Sequence, residues 1–146
     1  MRILFAASEA VPFCKTGGLA DVAGSLPQAL AKTGDEVAVV LPLYQRVSEK
    51  WMGQLTFVTH IEVPLGWRRL YAGLFRLEKD GVIWYFVDNE YYFKREGLYG
   101  HYDDGERFGF FSRAVVALLP SMDWMPDIIH CNDWQTALVP VYLKDE

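Results

Sequence analysis

Two adjacent glycines, set between a short apolar run and an apolar helical repeat, constrain this chain more than any other feature. Arg2-Ile3-Leu4-Phe5-Ala6-Ala7-Ser8 reads as a buried strand, Lys15-Thr16-Gly17-Gly18 as a turn, and Leu19, Val22, Ala23, Leu26 and Leu30 recur at helical spacing. Strand, glycine turn, helix is the implied order. The first amides of such a helix have no carbonyl partner and carry the positive end of its dipole, and glycines let a ligand approach the backbone with no Cβ in the way. An anion fits there. Lys15 adds a mobile cation suited to phosphate, and Asp21 places a carboxylate one turn in. The plainer alternative is that Gly17 and Gly18 only turn the chain, Lys15 is solvated, and Asp21 favours the helix start. The stretch has neither the Gly-Lys-Ser/Thr of a Walker A loop nor the G-x-G-x-x-G of a dinucleotide fingerprint.

Downstream, the pattern predicts a helix over 19–32 with a kink or restart at Pro27, Ser25 serving as the cap of a restarted helix. Glu36-Val37-Ala38-Val39-Val40-Leu41 reads as a second buried strand, so the opening is a β-α-β unit and a parallel sheet follows. Leu43-Tyr44-Gln45 is expected to be a loop at that strand's carboxyl end. Residues 56–63, 69–77 and 82–87 alternate as strands separated by turns at Gly66-Trp67 and Lys79-Asp80-Gly81, which predicts an antiparallel insertion. His60, alone on one of them, reads as an ordinary packed or surface histidine. Residues 88–105 lose periodicity but are rich in aromatic and charged groups, and aromatic faces stack on sugar C–H surfaces. A helix over 106–119 with a buried stripe of Phe108, Phe111, Val115 and Leu118 comes next, then a strand over 127–132 and a final helix from Asp133 through Tyr142. The fold class is α/β, a Rossmann-like parallel sheet with helices on both faces and an antiparallel strand insertion.

His130, Asn132, Asp133 and Trp134 stand where the last parallel strand gives way to a helix, the same sheet edge as Lys15 and Asp21. Asp133 also reads as a helix N-cap, and His130 as a hydrogen-bonded core histidine. Adjacent His, Cys and Asp side chains on a strand point alternately to opposite faces, which disfavours a metal site. The net charge of −5, with no basic run, gives no case for nucleic acid or an anionic membrane as partner. Cys14 and Cys131 form no C-x-x-C pair, which points to reduced thiols and a cytoplasmic setting.

Lys15-Thr16-Gly17-Gly18-Leu19-Ala20-Asp21-Val22 with Gly24-Ser25-Leu26-Pro27, the run Y-F-x-R-x-G-x-Y-G ending at Gly100, and D-I-I-H-x-x-D-W-x-T from Asp127 to Thr136 together resemble the bacterial glycogen and starch synthases. The resemblance spans essentially the whole chain. It implies a two-domain GT-B glycosyltransferase that moves glucose from ADP-glucose to the non-reducing end of an α-1,4-glucan (glycogen) with retention of configuration. Residues 1–146 would be the N-terminal Rossmann-like domain, incomplete, because the family runs to roughly three times this length against a usual domain size of about 100–200 residues. Lys15, Gly17, Gly18 and Trp134 would bind substrate, and Asp21, Tyr99, His130 and Asp133 would serve catalysis around the glucosyl pocket. No cofactor and no metal is implied, since cationic side chains and helix amides would neutralise the diphosphate. The family's T-V-H-N segment and the Arg, Lys and Glu of its second domain are absent from this sequence, so the chain alone is expected to be inactive. Other readings are a non-catalytic carbohydrate-binding or assembly module, a different nucleotide-sugar transferase, or an oxidoreductase, the last disfavoured by the missing G-x-G-x-x-G.

Overall fold

The computed structural model describes residues 1–122 and 124–145; Glu146, the last residue of the expected domain, lies outside them. Six strands form one sheet in the order β3-β4-β5-β2-β1-β6, with β1 Arg2–Ala6, β2 Glu36–Pro42, β3 Thr56–Leu65, β4 Arg68–Lys79, β5 Val82–Asp88 and β6 Ile128–Cys131. β5, β2, β1 and β6 are parallel, and β4 and β3 extend β5 antiparallel. Between their charged ends the central strands are apolar because both faces are covered: Leu4, Phe5 and Ala6, Val37 to Leu41, and Trp84 to Val87 are all buried. β3 and β4 are partly solvated, and their side chains alternate accordingly.

The order fixes where a ligand can sit. β1 leads through α1 (Gly18–Lys32) to β2 on one side, whereas β5 leads through α4 (Asp104–Leu118) back across to β6 on the other. Right-handed crossovers in opposite directions put α1 and α4 on opposite faces and open a crevice between the carboxyl ends of β1 and β6. Phe13 packs on Trp51, Trp84 and Phe86 on one face, and Phe93, Phe108, Phe110 and Phe111 cluster around α4.

Several local expectations are corrected. α1 runs unbroken through Pro27, and Ser25 is no cap, its hydroxyl donating to the Asp21 carbonyl one turn back. The buried face of α1 is Ala20, Ala23, Gly24 and Pro27, while Val22 and Leu26 are exposed. The reason is close approach: the loop after β1 lies directly under the helix, Val11 N donates to the Ala20 carbonyl at 3.0 Å, and a Cβ on Gly24 would fall 2.6 Å from the Val11 carbonyl oxygen. Only small side chains fit there. Leu43 and Tyr44 form the expected connection but are buried, whereas Gln45 opens a helix not expected from sequence, α2 (Gln45–Trp51). A short helix, α3 (Glu90–Phe93), begins the aromatic segment, with the Asn89 side chain accepting from Tyr92 N. α4 is buried almost all round and not on one stripe, because β3, β5 and the C-terminal segment all contact it. The expected final helix is split into a 3-10 turn at Trp134–Thr136 and α5, Val139–Asp145.

Candidate functional site at the sheet edge

Glu9 organises the glycine turn, and no sequence pattern singled it out. It leaves β1 three residues past the strand end and is 4% exposed. Its carboxylate accepts from Thr16 N at 2.6 Å, the Thr16 hydroxyl at 2.8 Å, Gly17 N at 3.1 Å and the Tyr99 hydroxyl at 2.9 Å. Gly17, the N-cap of α1, has no side chain to cap with, so Glu9 satisfies the amides in its place and sits at the positive end of the helix dipole. Burial pushes its carboxyl upward, but the hydrogen bonds from Thr16, Tyr99 and Gly17 outweigh burial and hold it below the usual carboxylate range.

With Thr16 and Gly17 N–H engaged by Glu9, the opening amides left to an incoming anion are those of Gly18 and Leu19, which precede the first i to i−4 bond of the helix. A Cβ at Gly17 or Gly18 would meet nothing within 4 Å, so internal packing does not require glycine there. The space above the turn is open. Lys15 reaches across it to Asp21, Nζ lying 2.9 Å from both carboxylate oxygens, and both side chains are more than half exposed. An exposed pair of this kind stabilises by about 0–1 kcal/mol and exchanges readily for a more highly charged partner such as a diphosphate.

Tyr99 joins the turn to the aromatic segment. Its hydroxyl donates to Glu9, so the 2.6 Å contact with Ser8 has the Ser8 hydroxyl as donor. Burial raises the phenol far above its ordinary value, and the neighbouring Glu9 carboxylate adds to the rise; it stays a neutral donor. The segment that carries Tyr99 is pinned by two arginines. Arg107, wholly buried on α4, donates to the carbonyls of Tyr92 and Leu98 and to Asp104, with its guanidinium over the Phe93 and Phe108 rings. Arg95 forms a two-pronged pair with Asp103 at 2.5 and 2.9 Å, and that bond holds the Asp103 carboxyl below its usual range.

On the facing side, Asn132 continues from β6 and bonds back to the Ala6 carbonyl of β1 through both its N–H and its side-chain amide. Asp133 then adopts φ +64°, ψ −178°, a region that costs a non-glycine residue about 1–3 kcal/mol and collects at functional sites. Its carboxylate caps the following turn by accepting from Trp134 N at 3.2 Å. Trp134 is 54% exposed, one edge of its ring on Phe108. His130 is exposed because β6 is the edge strand, not the core histidine considered from sequence; its ring lies 4.8 Å from that of Phe5, its register partner on β1.

The geometry therefore ties Gly17 and Tyr99 to Glu9 by hydrogen bonds and carries Gly18 and the Lys15–Asp21 ion pair on the same turn. A chain of ring contacts, Tyr99 to Phe108 at 5.7 Å and Phe108 to Trp134 at 5.4 Å, links it to the Asp133 turn. His130 is on the neighbouring strand, one register step from the crevice. The residues that sequence reasoning missed are Ser8, Glu9 and Arg107, all polar and buried. Glu9 and Asp103 share a pH consequence. Each binds its proton less readily folded than unfolded, so each contributes stability that is complete above the usual carboxylate range near pH 4 and is lost as pH falls through the lower folded value. In acid titrations followed by circular dichroism, the stability gap between wild type and Glu9→Gln is expected to shrink between roughly pH 6 and pH 3. A gap that stays constant with pH would remove Glu9 from that role.

The family model for the starch synthase catalytic domain matches residues 2–146. This chain belongs to the starch synthase catalytic domain family. Within the family, it is 57% identical over its full length to a glycogen synthase of Clostridium botulinum (strain Alaska E43 / Type E3) and 53% identical to one of Geobacillus thermodenitrificans (strain NG80-2). The chain spans about 30% of the length of these curated relatives. Among solved structures, the catalytic domain of starch synthase IV from Arabidopsis thaliana, bound to ADP and acarbose, superposes with a TM-score of 0.81 at 31% identity, over 97% of this chain and 31% of that one. The mixed six-stranded α/β sheet is thus a starch synthase fold of the GT-B kind, as expected from the sequence.

Proposed function

We propose that this chain is the N-terminal Rossmann-like domain, or most of it, of a retaining glycogen synthase, which transfers glucose from ADP-glucose to the non-reducing end of an α-1,4-glucan. The observation that carries the reading is the meeting of two helix-opening turns, one with Lys15, Gly18 and Asp21 and one with Asp133 and Trp134, at the switch point between β1 and β6. The family relatives, and a structural neighbour bound to ADP and acarbose, support the same substrates.

In this reading Lys15 leaves Asp21 for the sugar diphosphate, which also takes the Gly18 amide, and Asp21, Tyr99 and Asp133 line the glucosyl pocket with His130 and Trp134 beside them. Tyr99, held neutral, donates a hydrogen bond and carries no charge into the site. Departure of the nucleoside diphosphate needs charge stabilisation and exclusion of water, so the remaining two-thirds of the protein supplies a second domain that closes over this edge. The complete enzyme works in the cytoplasm, which the free thiols of Cys14 and Cys131 support.

Incorporation of labelled glucose from ADP-glucose into glycogen by the complete enzyme tests the proposal. Lys15→Ala is expected to raise the KM for ADP-glucose roughly tenfold or more, the worth of a charged hydrogen bond of about 1.5–3 kcal/mol. No incorporation by the intact protein would end the enzyme reading, and an unchanged KM would remove Lys15 from the phosphate site.

A further inference from the structure

The tip of the β3–β4 hairpin carries a tryptophan that the fold does not use. Trp67 is 92% exposed, the second most exposed large hydrophobic side chain after Tyr102. The antiparallel register, Gly73 opposite Asp88 and Lys79 opposite Val82, places this tip at the carboxyl edge of the sheet, the edge that holds Lys15 and Asp133. Beneath Trp67 lies a groove of about 360 Å³ whose walls include Leu65, Arg68, Glu106, Leu138 and Tyr142. Arg68 extends over one face of the indole at 5.7 Å and is itself paired to Glu106 in the first turn of α4. The indole is left almost wholly open to solvent.

The groove is bordered by elements that also carry the candidate site. Gly109, in its floor, follows Phe108, the ring that supports Trp134, and Leu138 lies one turn beyond Trp134 and is 42% exposed. Trp134 and Trp67 therefore stand at one sheet edge, Trp67 over the groove. Its two charged groups, Arg68 and Glu106, neutralise each other, so the wall suits a long neutral ligand with apolar faces and hydroxyl edges. Indole stacks on sugar C–H surfaces, and the guanidinium and carboxylate edges bond hydroxyls.

The geometry points to a glucan-holding groove under Trp67, where the acceptor chain lies at a distance from the transfer point. The inference rests on the glucan-elongating function proposed above and adds the wall along which the polymer runs. Trp67 touches no reacting atom; it holds the acceptor.

The complete enzyme carrying Trp67→Ala tests this by two readouts. In electrophoresis through gels containing glycogen, wild type is expected to be retarded and Trp67→Ala to migrate close to its position in a glycogen-free gel, with Trp67→Tyr recovering most of the retardation. In kinetics, the apparent KM for glycogen is expected to rise roughly fivefold, in line with the worth of an aromatic stack, while kcat and the KM for ADP-glucose stay within about twofold. Equal retardation of wild type and Trp67→Ala overturns the proposal, as does absence of retardation in wild type. A change in sedimentation with retardation unaltered also overturns it, by making a second copy of the chain the occupant of the groove. Retardation that depends on Trp67 in an enzyme that incorporates no glucose would keep the groove and discard the transferase reading.

Discussion

Glu9→Gln in the complete enzyme is expected to lower kcat/KM for ADP-glucose by roughly 10²-fold or more, the effect of a misplacement of about 1 Å at a site whose geometry is fixed elsewhere. The substitution keeps the shape and removes the charge. Four donors converge on the carboxylate: Thr16 N, the Thr16 hydroxyl, Gly17 N and the Tyr99 hydroxyl. An amide has one oxygen to offer them, and its NH2 group would face donors. Hydrogen bonds to a charged group contribute about 1.5–3 kcal/mol, and stranded buried donors cost further, so a loss of about 3 kcal/mol in stability accompanies the loss of activity. The two effects separate on warming and cooling: at low temperature the variant is folded, and its kcat/KM is still depressed because the glycine turn and Tyr99 have lost their common anchor. A variant within threefold of wild type in kcat/KM would show that the turn holds its shape without Glu9.

Arg107→Ala acts from the other side of the same cluster. The arginine is fully buried, binds the Tyr92 and Leu98 carbonyls and Asp104, and lies over two phenylalanine rings. Removing it strands two buried carbonyls, leaves the Asp104 carboxylate without this cation, and opens a cavity at the base of the aromatic segment. A loss of about 3–5 kcal/mol is expected, a fall of at least roughly 6 °C in the melting of this part of the protein. Differential scanning calorimetry reads the loss, and amide hydrogen exchange locates it. Residues 92–100 are expected to lose protection first, because the Leu98 carbonyl is one of the two places where the arginine grips the segment and Tyr99 follows immediately. Melting unchanged to within 2 °C would mean that the segment is held by packing alone.

Much of this architecture was legible before any coordinates. Apolar runs such as Val37-Ala38-Val39-Val40-Leu41 admit little but a strand covered on both faces, and the alternation over 56–63 and 69–77 specifies half-solvated strands. The glycine turn and the Asp133 turn were legible because turn chemistry is local. What failed were judgements that depend on neighbours. Val22 and Leu26 looked buried by spacing, yet the Val11 backbone comes so near the helix that only Ala20, Ala23 and Gly24 fit. A continuous helix from Asp133 looked reasonable by composition, yet the bonds of Thr136 to the Asn132 and Asp133 carbonyls close a tight turn first.

Residue order along the chain specified the strands, helices α1 and α4, the parallel core with its antiparallel extension, and the family resemblance that singles out Lys15, Gly18, Asp21, Tyr99 and Asp133. Each of these is written in local spacing or in residues contiguous along the chain. Packing across the fold is what makes Glu9, ninety residues from Tyr99, the acceptor joining the turn to the aromatic segment, lets Arg107 fix that segment, and puts Trp67 at the same edge as Trp134. Partners brought together by strand order and crossover handedness leave no periodic trace, because nothing in the linear spacing of a carboxylate records which amides will converge on it.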